Sequence, residues 1–144
     1  MTQNEKDLLL KDLCARLPYG IQLKKLTKAA SNIADIGDPV ILYSINLELY
    51  CDIRFYTYKG KALTVCEEDR LFRPGYFLRY KPYLFPMSSM TEEQNIEYGK
   101  LCERCCPASI YSMDMIDWFI KNHFDYRGLI PMGLAEDATG KNIY

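Results

Sequence analysis

The sequence has few of the residues and motifs on which enzymes and metal sites most often depend. It contains a single histidine, His123, among 144 residues. It has no G-x-S-x-G, H-E-x-x-H, P-loop or Rossmann fingerprint, so nothing indicates the hydrolase, zinc protease or nucleotide-binding classes that carry them. No apolar run approaches the roughly 18 residues that a membrane-spanning helix needs. The first residues, MTQNEKDLLLKD, lack the apolar segment of a secretory signal, so we expect a cytoplasmic protein.

A strong charge of either sign is also lacking. The chain has 18 Lys and Arg against 19 Asp and Glu, a net charge of −1, which does not predict the basic surface of a dedicated DNA-binding protein. Hydrophobic residues make up 49% and charged residues 26%, the balance of a folded domain. We expect one domain over residues 1–144. Residues 1–81 form a helix plus a β half, residues 82–135 form a helical half, and residues 136–144 form a frayed tail.

Helical periodicity appears at the start of the chain and again in its last third. One apolar stripe predicts an N-terminal helix that Asn4 caps and Pro18 ends, and its members are Leu9, Leu10, Leu13, Cys14 and Leu17. A second helix follows Thr91 and must end at Pro107, and a third begins at Ser109 or Ser112.

The strongest β signal is a regular alternation of apolar and polar residues from Ile45 to Phe55. It is either one long, bent strand or two strands joined by a tight turn near residues 48–52. We favour the bent strand, because no Gly, Pro or Asn lies between Leu47 and Thr57. Shorter strands are predicted at 21–24, 62–66 and 76–80, with a turn at Lys59-Gly60 and a charged loop over 67–75. The prediction is an α+β fold: a small curled antiparallel sheet or an SH3-like barrel, with an N-terminal helix and two C-terminal helices.

Residues 81–94, KPYLFPMSSMTEEQ, separate the β half from the helical half. Pro82 and Pro86 lack a backbone N–H, which argues against a central strand here. Two capping boxes fit the next helix, one from Ser89 to Glu92 and one from Thr91 to Gln94. Both place the start of that helix near residues 90–92.

Three segments, LLLKDLCARLPYG (8–20), KPYLFPMSSMTEE (81–93) and NHFDYRGLIPMGLA (122–135), resemble landmarks of a family of uncharacterised proteins. We associate that family with gut Bacteroidales, their phages and their mobile elements. The landmarks cover about a quarter of the chain and sit at its start, middle and end. The resemblance therefore spans the whole chain, and it carries no activity, ligand or catalytic residue with it.

Six cysteines include one cluster, C-x-x-C-C, formed by Cys102, Cys105 and Cys106. Zinc sites usually combine two close pairs of thiolate or imidazole ligands, and here a second pair is missing. In a protein that is not exported, thiols are also more common than disulfides. We therefore predict no metal and no cofactor, with this cluster as the weak candidate.

His123, Asp125 and Arg127 form a second candidate cluster. A histidine near an aspartate or a cysteine can act as a base, and an arginine can hold a phosphate or carboxylate. A lone histidine at the end of a helix more often bonds to a carbonyl, and Arg127 is surrounded by packing residues. We favour structural roles for these residues, so an enzyme, such as a small hydrolase using His123, is the least favoured hypothesis.

The 12 tyrosines are the most unusual feature of the composition. Tyr50, Tyr56 and Tyr58 lie at the polar positions of the long β run and its continuation, beside the basic residues Arg54 and Lys59. Tyrosine and arginine are enriched in protein interfaces, they also stack on bases and contact phosphates, and aromatic pairs stabilise sheets by themselves. Our prediction is a non-enzymatic module that binds a protein partner through these residues. Nucleic-acid binding by a small β-barrel is the alternative.

Overall fold

A computed structural model describes residues 2–26, 39–45, 52–59, 62–70, 80–104 and 112–144, with the backbone alone for residues 25, 43–45, 52–59 and 62–70. The described chain forms three helices and six strands. The helices are α1 (Gln3–Arg16), α2 (Glu92–Arg104) and α3 (Met113–Lys121). The strands are β1 (Gln22–Lys25), β2 (Pro39–Ile45), β3 (Asp52–Lys59), β4 (Ala62–Arg70), β5 (Tyr80–Leu84) and β6 (Glu136–Asp137). This confirms the α+β class, with one helix before the sheet strands and two later helices.

The strands form one mixed sheet in the order β4-β3-β2-β1-β5-β6. Neighbours from β4 to β5 are antiparallel, and β6 is parallel to β5. Within the described residues the sheet is open, with β4 and β6 at its two ends. Of the two sheet forms predicted, the described strands therefore match the open sheet and not a closed barrel.

The single bent strand that we favoured over residues 45–55 is wrong. Strands β2 and β3 pair antiparallel with Ile45 opposite Ile53, so the chain reverses direction between them. Ile45 and Ile53 are both odd-numbered, so their pairing keeps the same odd and even alternation in both strands. The alternative with two strands and a turn near residues 48–52 required this. Strand β4 pairs Lys59 with Ala62, which agrees with the turn expected at Lys59-Gly60. It also extends to Arg70, so the charged loop predicted to start at residue 67 is wrong in its first four residues.

Pro82 lies in β5, between β1 and β6, contrary to our expectation of no central strand. Alternate residues of a strand direct their backbone groups to opposite sides. The Leu84 carbonyl accepts from the Ala138 N–H at 2.9 Å, so Pro82, two residues earlier, also directs its nitrogen towards β6. Strand β6 pairs only with Tyr83 and Leu84 and does not reach Pro82. The missing N–H therefore removes no hydrogen bond of the ladder.

Helix α1 begins with a capping box formed by Thr2 and Glu5, two residues earlier than the Asn4 cap that we predicted. Helix α2 begins with the Thr91 to Gln94 box: each residue's N–H donates to the other's side chain, at 2.9 Å from Thr91 and 3.2 Å from Gln94. Helix α3 is capped by Ser112, whose hydroxyl accepts from the Met115 N–H at 3.2 Å. These bonds satisfy amides that have no partner inside the helix.

Two apolar clusters hold the elements together. The first lies between α1 and the inner strands and consists of Leu9, Leu13, Ile21, Leu23, Val40, Leu42, Tyr80, Leu84, Leu129, Leu134 and Ala135. The second is aromatic and consists of Met115, Trp118, Phe119 and Phe124, against which Tyr98 and Leu101 of α2 pack. The segment after α3 contributes to both clusters and joins the helices to the sheet.

The frayed tail that we expected after Ala135 is attached to the sheet instead. Residues 136–137 form β6, and Ala138 is completely buried. Lys24 and Glu136 form a salt bridge of 3.0 Å between β1 and β6. The last residue, Tyr144, returns to the sheet, where its hydroxyl donates to the Tyr83 carbonyl at 2.7 Å.

Candidate functional site

The most polar part of the interior is built around Arg16, which is fully buried. Its Nε donates to the Asp12 carboxylate at 2.7 Å and its Nη2 donates to the other oxygen at 3.2 Å, so the pair is bidentate. Nη2 also donates to the Phe124 carbonyl at 2.8 Å, and Nη1 contacts the Phe119 and Ile120 carbonyls at 3.5 Å. Arg16 thus joins α1 to the carboxyl end of α3, where a positive charge is favourable.

Asp12 is also fully buried, and its carboxylate accepts a hydrogen bond from a second arginine. Arg127 Nε donates to Asp12 Oδ1 at 3.2 Å, and its guanidinium lies 4.7 Å from the centroid of the Tyr126 ring. Tyr126 in turn stacks on Phe119 at 5.5 Å. Burial raises the pKa of the Tyr126 hydroxyl, and the charge of Arg127 acts in the opposite direction. These contacts attach the segment after α3 to α1.

His123 ends helix α3 in a conformation that glycine usually adopts. Its φ is +57°, and it follows the C-cap residue Asn122. The His123 N–H donates to the Ile120 carbonyl at 3.2 Å, and the Phe124 N–H donates to the Phe119 carbonyl at 2.9 Å. These two bonds are those of a Schellman motif, in which the residue with positive φ is normally Gly or Asn. A histidine here is strained, so its ring must supply compensating contacts.

The His123 ring is buried, with 7% of the residue exposed, and stacks on Tyr144 at 3.9 Å between ring centroids. Burial and the nearby Arg16 charge lower the pKa of His123 to about 4, against a smaller opposite effect of a hydrogen bond with the Tyr19 backbone. The imidazole is therefore neutral at pH 7. Its Nδ1 atom has no hydrogen-bond partner among the described residues.

The Asp125 carboxylate caps the turn that follows it. Its two oxygens accept from the Leu129 N–H at 2.7 Å and the Ile130 N–H at 2.8 Å. The backbone of Asp125 also donates to the Phe85 carbonyl at 2.8 Å, beside the bridge between Phe85 and Phe124. Both oxygens of the carboxylate are therefore engaged by the backbone.

The second candidate cluster does not converge on one point. His123 faces Tyr144, Asp125 faces two amides, and Arg127 pairs with Asp12 instead of with Asp125. A general base needs a substrate proton within hydrogen-bond reach and a pKa near the working pH. The cluster, in this arrangement, supports the fold and supplies no base paired with an acid.

The other predicted site residues fall largely outside the described part of the chain. Tyr50 is outside the described residues, as are Cys105 and Cys106. Arg54, Tyr56, Tyr58 and Lys59 lie in β3, whose backbone alone is described. Cys102 is an exposed free thiol in α2, and the described residues contain no group of histidine, cysteine or carboxylate side chains suited to a metal ion.

The sequence analysis missed Asp12, Arg16 and Tyr144. A signal for the first two was present, because Asp12 and Arg16 are four residues apart and share a helix face with Leu9 and Leu13. A carboxylate and a guanidinium on an apolar face at this spacing indicate a buried pair. No local pattern marked Tyr144, whose contacts are with residues far away in the chain.

No described helix has the length and apolarity needed to cross a membrane. Comparison with protein-family models, with curated proteins and with solved structures found no match to this chain.

Proposed function

We propose that this chain is a non-enzymatic module that binds another protein through the outer strands β3 and β4. The observation that carries the proposal is the internal use of its candidate catalytic groups. The Asp125 carboxylate already accepts two backbone amides, and His123, with a pKa of about 4, is a weak base at neutral pH. An enzymatic role for His123 therefore has less support than a binding role.

The order of the strands favours β3 and β4 as the place of contact. Strand β4 is an end strand of the described sheet, and its described pairing is with β3 alone. An end strand offers its backbone edge to a strand of a partner.

The composition of the outer strands favours a protein over a nucleic acid. Strand β3 carries Arg54, Tyr56 and Tyr58, residue types that are enriched at the centres of protein interfaces. Strand β4 ends in Glu67, Glu68, Asp69 and Arg70, and three consecutive acidic residues oppose binding to a phosphate backbone. These strands therefore favour a protein partner of mixed or basic charge.

The test is affinity capture from the organism that encodes the protein, with and without nuclease, followed by mass spectrometry. Three forms are compared: the natural chain, Arg54→Ala in β3, and Lys100→Ala, the same truncation at an exposed position of α2. We expect a nuclease-resistant protein partner that Lys100→Ala retains and Arg54→Ala loses, with both variants folded by circular dichroism. Retention by both variants would contradict binding through β3, and loss on nuclease treatment would favour the nucleic-acid alternative.

We also propose a cytoplasmic location and an origin among gut Bacteroidales or their phages and mobile elements. The free thiols of Cys14 and Cys102 are compatible with a reducing compartment, and the three landmark segments support the origin. Subcellular fractionation of the encoding organism tests the location. Recovery of the chain in the membrane or extracellular fraction would contradict it.

A further inference from the structure

Tyr144 fills a slot between β1 and β5. Its hydroxyl accepts from the Gln22 N–H at 3.3 Å and donates to the Tyr83 carbonyl at 2.7 Å. Its ring stacks on His123 at 3.9 Å with planes 13° apart, and it contacts Phe85 at 5.8 Å in a tilted arrangement. One phenol thus satisfies a donor and an acceptor on neighbouring strands while its ring lies against two other rings.

The register of the sheet explains why this slot exists. Strands β1 and β5 pair Lys24 with Lys81 and Leu23 with Pro82, so the next pair along the ladder is Gln22 with Tyr83. A direct bond between these two residues would continue the sheet. The Tyr144 hydroxyl is inserted between them, and beyond this point Phe85 pairs with the segment around Phe124. The slot is therefore an opening in a ladder, lined by backbone groups that require a polar occupant.

The occupant is attached by a short exposed arm. Ala138 is fixed by its N–H bond to the Leu84 carbonyl, whereas residues 139–142 are all exposed and include Gly140 at a φ of +71°. Tyr144 itself is 43% exposed, although burial of its hydroxyl raises the pKa of that group. The hydroxyl is thus buried in the slot, while other atoms of the residue remain accessible to solvent. Release of the ring breaks the contacts of Ile143 and Tyr144 and leaves β6 in place.

The wall of the slot contains a buried polar atom without a partner. Nδ1 of His123 belongs to the ring that stacks on Tyr144, and no described group donates to it or accepts from it. His123 is also held in a strained backbone conformation. Strain and unpaired polar atoms cost free energy, and they are most often found where a ligand or an exchangeable contact is held.

We propose that this slot is a phenol-binding site, occupied in this structure by the chain's own Tyr144 and open to a phenol from solution when that ring leaves. The ligand class follows from the lining. A planar ring fits between His123 and Phe85, and a single hydroxyl that both donates and accepts is what Gln22 and Tyr83 require. An aliphatic alcohol lacks the ring, and an aromatic hydrocarbon lacks the hydroxyl.

The test uses Tyr144→Ala in the full chain, with p-cresol as the probe and thermal unfolding as the readout. We expect the variant to be less stable than the natural protein and p-cresol to raise its Tm in a saturable way, by about 3 to 6 °C at ten times the dissociation constant. Toluene, which has the same ring and methyl group without the hydroxyl, is the matched control ligand and should raise the Tm less. Tyr144→Phe, in which a ring still fills the slot, should not respond to p-cresol.

If Tyr144→Ala is unfolded by itself, the readout becomes recovery of native circular dichroism on addition of p-cresol. The single histidine gives a second measurement, since the ring proton signals of His123 should shift when p-cresol binds beside it. Equal effects of p-cresol and toluene would overturn the proposal. An equal response of Tyr144→Phe and Tyr144→Ala, or no recovery and no shift at saturating p-cresol, would also overturn it.

Discussion

Replacing Arg16 with methionine should strongly destabilise the protein. The side chains of Arg16 and Asp12 are both completely buried, so solvent does not screen the interaction between them. Removal of the guanidinium leaves the Asp12 carboxylate with the single bond from Arg127 and leaves the Phe124 carbonyl without its donor. Breaking a buried ion pair from one side typically costs about 3 to 5 kcal/mol. For a protein of this size, this lowers the Tm by about 6 to 20 °C.

The matched control is Arg127→Met, because Arg127 contacts the same carboxylate from a position 20% exposed and through one bond of 3.2 Å. We expect a loss of about 1 kcal/mol or less for this variant. Urea unfolding monitored by circular dichroism gives both free energies of unfolding. If the free energies of unfolding of Arg16→Met and Arg127→Met differ by less than about 1 kcal/mol, the contacts of Arg16 do not hold α1 to the end of α3.

Three further predictions concern the segment after α3 and the start of α2. The unfolded state binds a proton at His123 below about pH 6.5, and the folded state binds it only below about pH 4. The free energy of unfolding of the natural protein should therefore decrease as the pH is lowered from about 6.5 to about 4. Asparagine tolerates a positive φ and does not titrate in this range. Between pH 7 and pH 4, the free energy of unfolding of His123→Asn, measured in urea, should therefore decrease by ~3 kcal/mol less than that of the natural protein. Asp125→Ala should cost about 2 kcal/mol or more of stability, because the buried Leu129 amide and the neighbouring Ile130 amide both lose their acceptor. Asp125→Asn, which keeps one acceptor oxygen, should cost about half as much. Equal losses of stability in the two variants would argue against two separate bonds. Thr91→Ala should cost about 1 kcal/mol by removing the capping box, whereas Ser88→Ala, at an exposed position outside that box, should cost less.

Local chemistry explains what could be predicted from the sequence. The Thr91 to Gln94 box and the Ser112 cap each depend on residues three positions apart, and the structure contains both. The Thr2 to Glu5 box was equally local, but Asn4 is an acceptable cap by itself and hid it. When neighbouring residues are caps of similar strength, the predicted start of a helix can be wrong by two residues, as it is here.

The errors arose where the result depends on distant parts of the chain. The alternation of apolar and polar residues from Ile45 to Phe55 is the same for one strand as for two strands whose odd-numbered residues share a face. Only the pairing of β2 with β3 distinguishes the two arrangements. Pro82 is acceptable in β5 because β6, more than 50 residues later, stops short of it. The burial of Arg16 depends on carbonyls of Phe119, Ile120 and Phe124, more than 100 residues away.

The only histidine of the chain, His123, is a buried structural residue, and its titration can be followed without ambiguity. Because no other histidine is present, its ring proton signal in an NMR titration of the folded protein is readily assigned. We expect a pKa of about 4 for His123, with the neutral ring stacked on Tyr144 at pH 7. A measured pKa of 6.5 or higher would show a hydrated or charge-paired imidazole, and it would return His123 to the group of candidate catalytic residues.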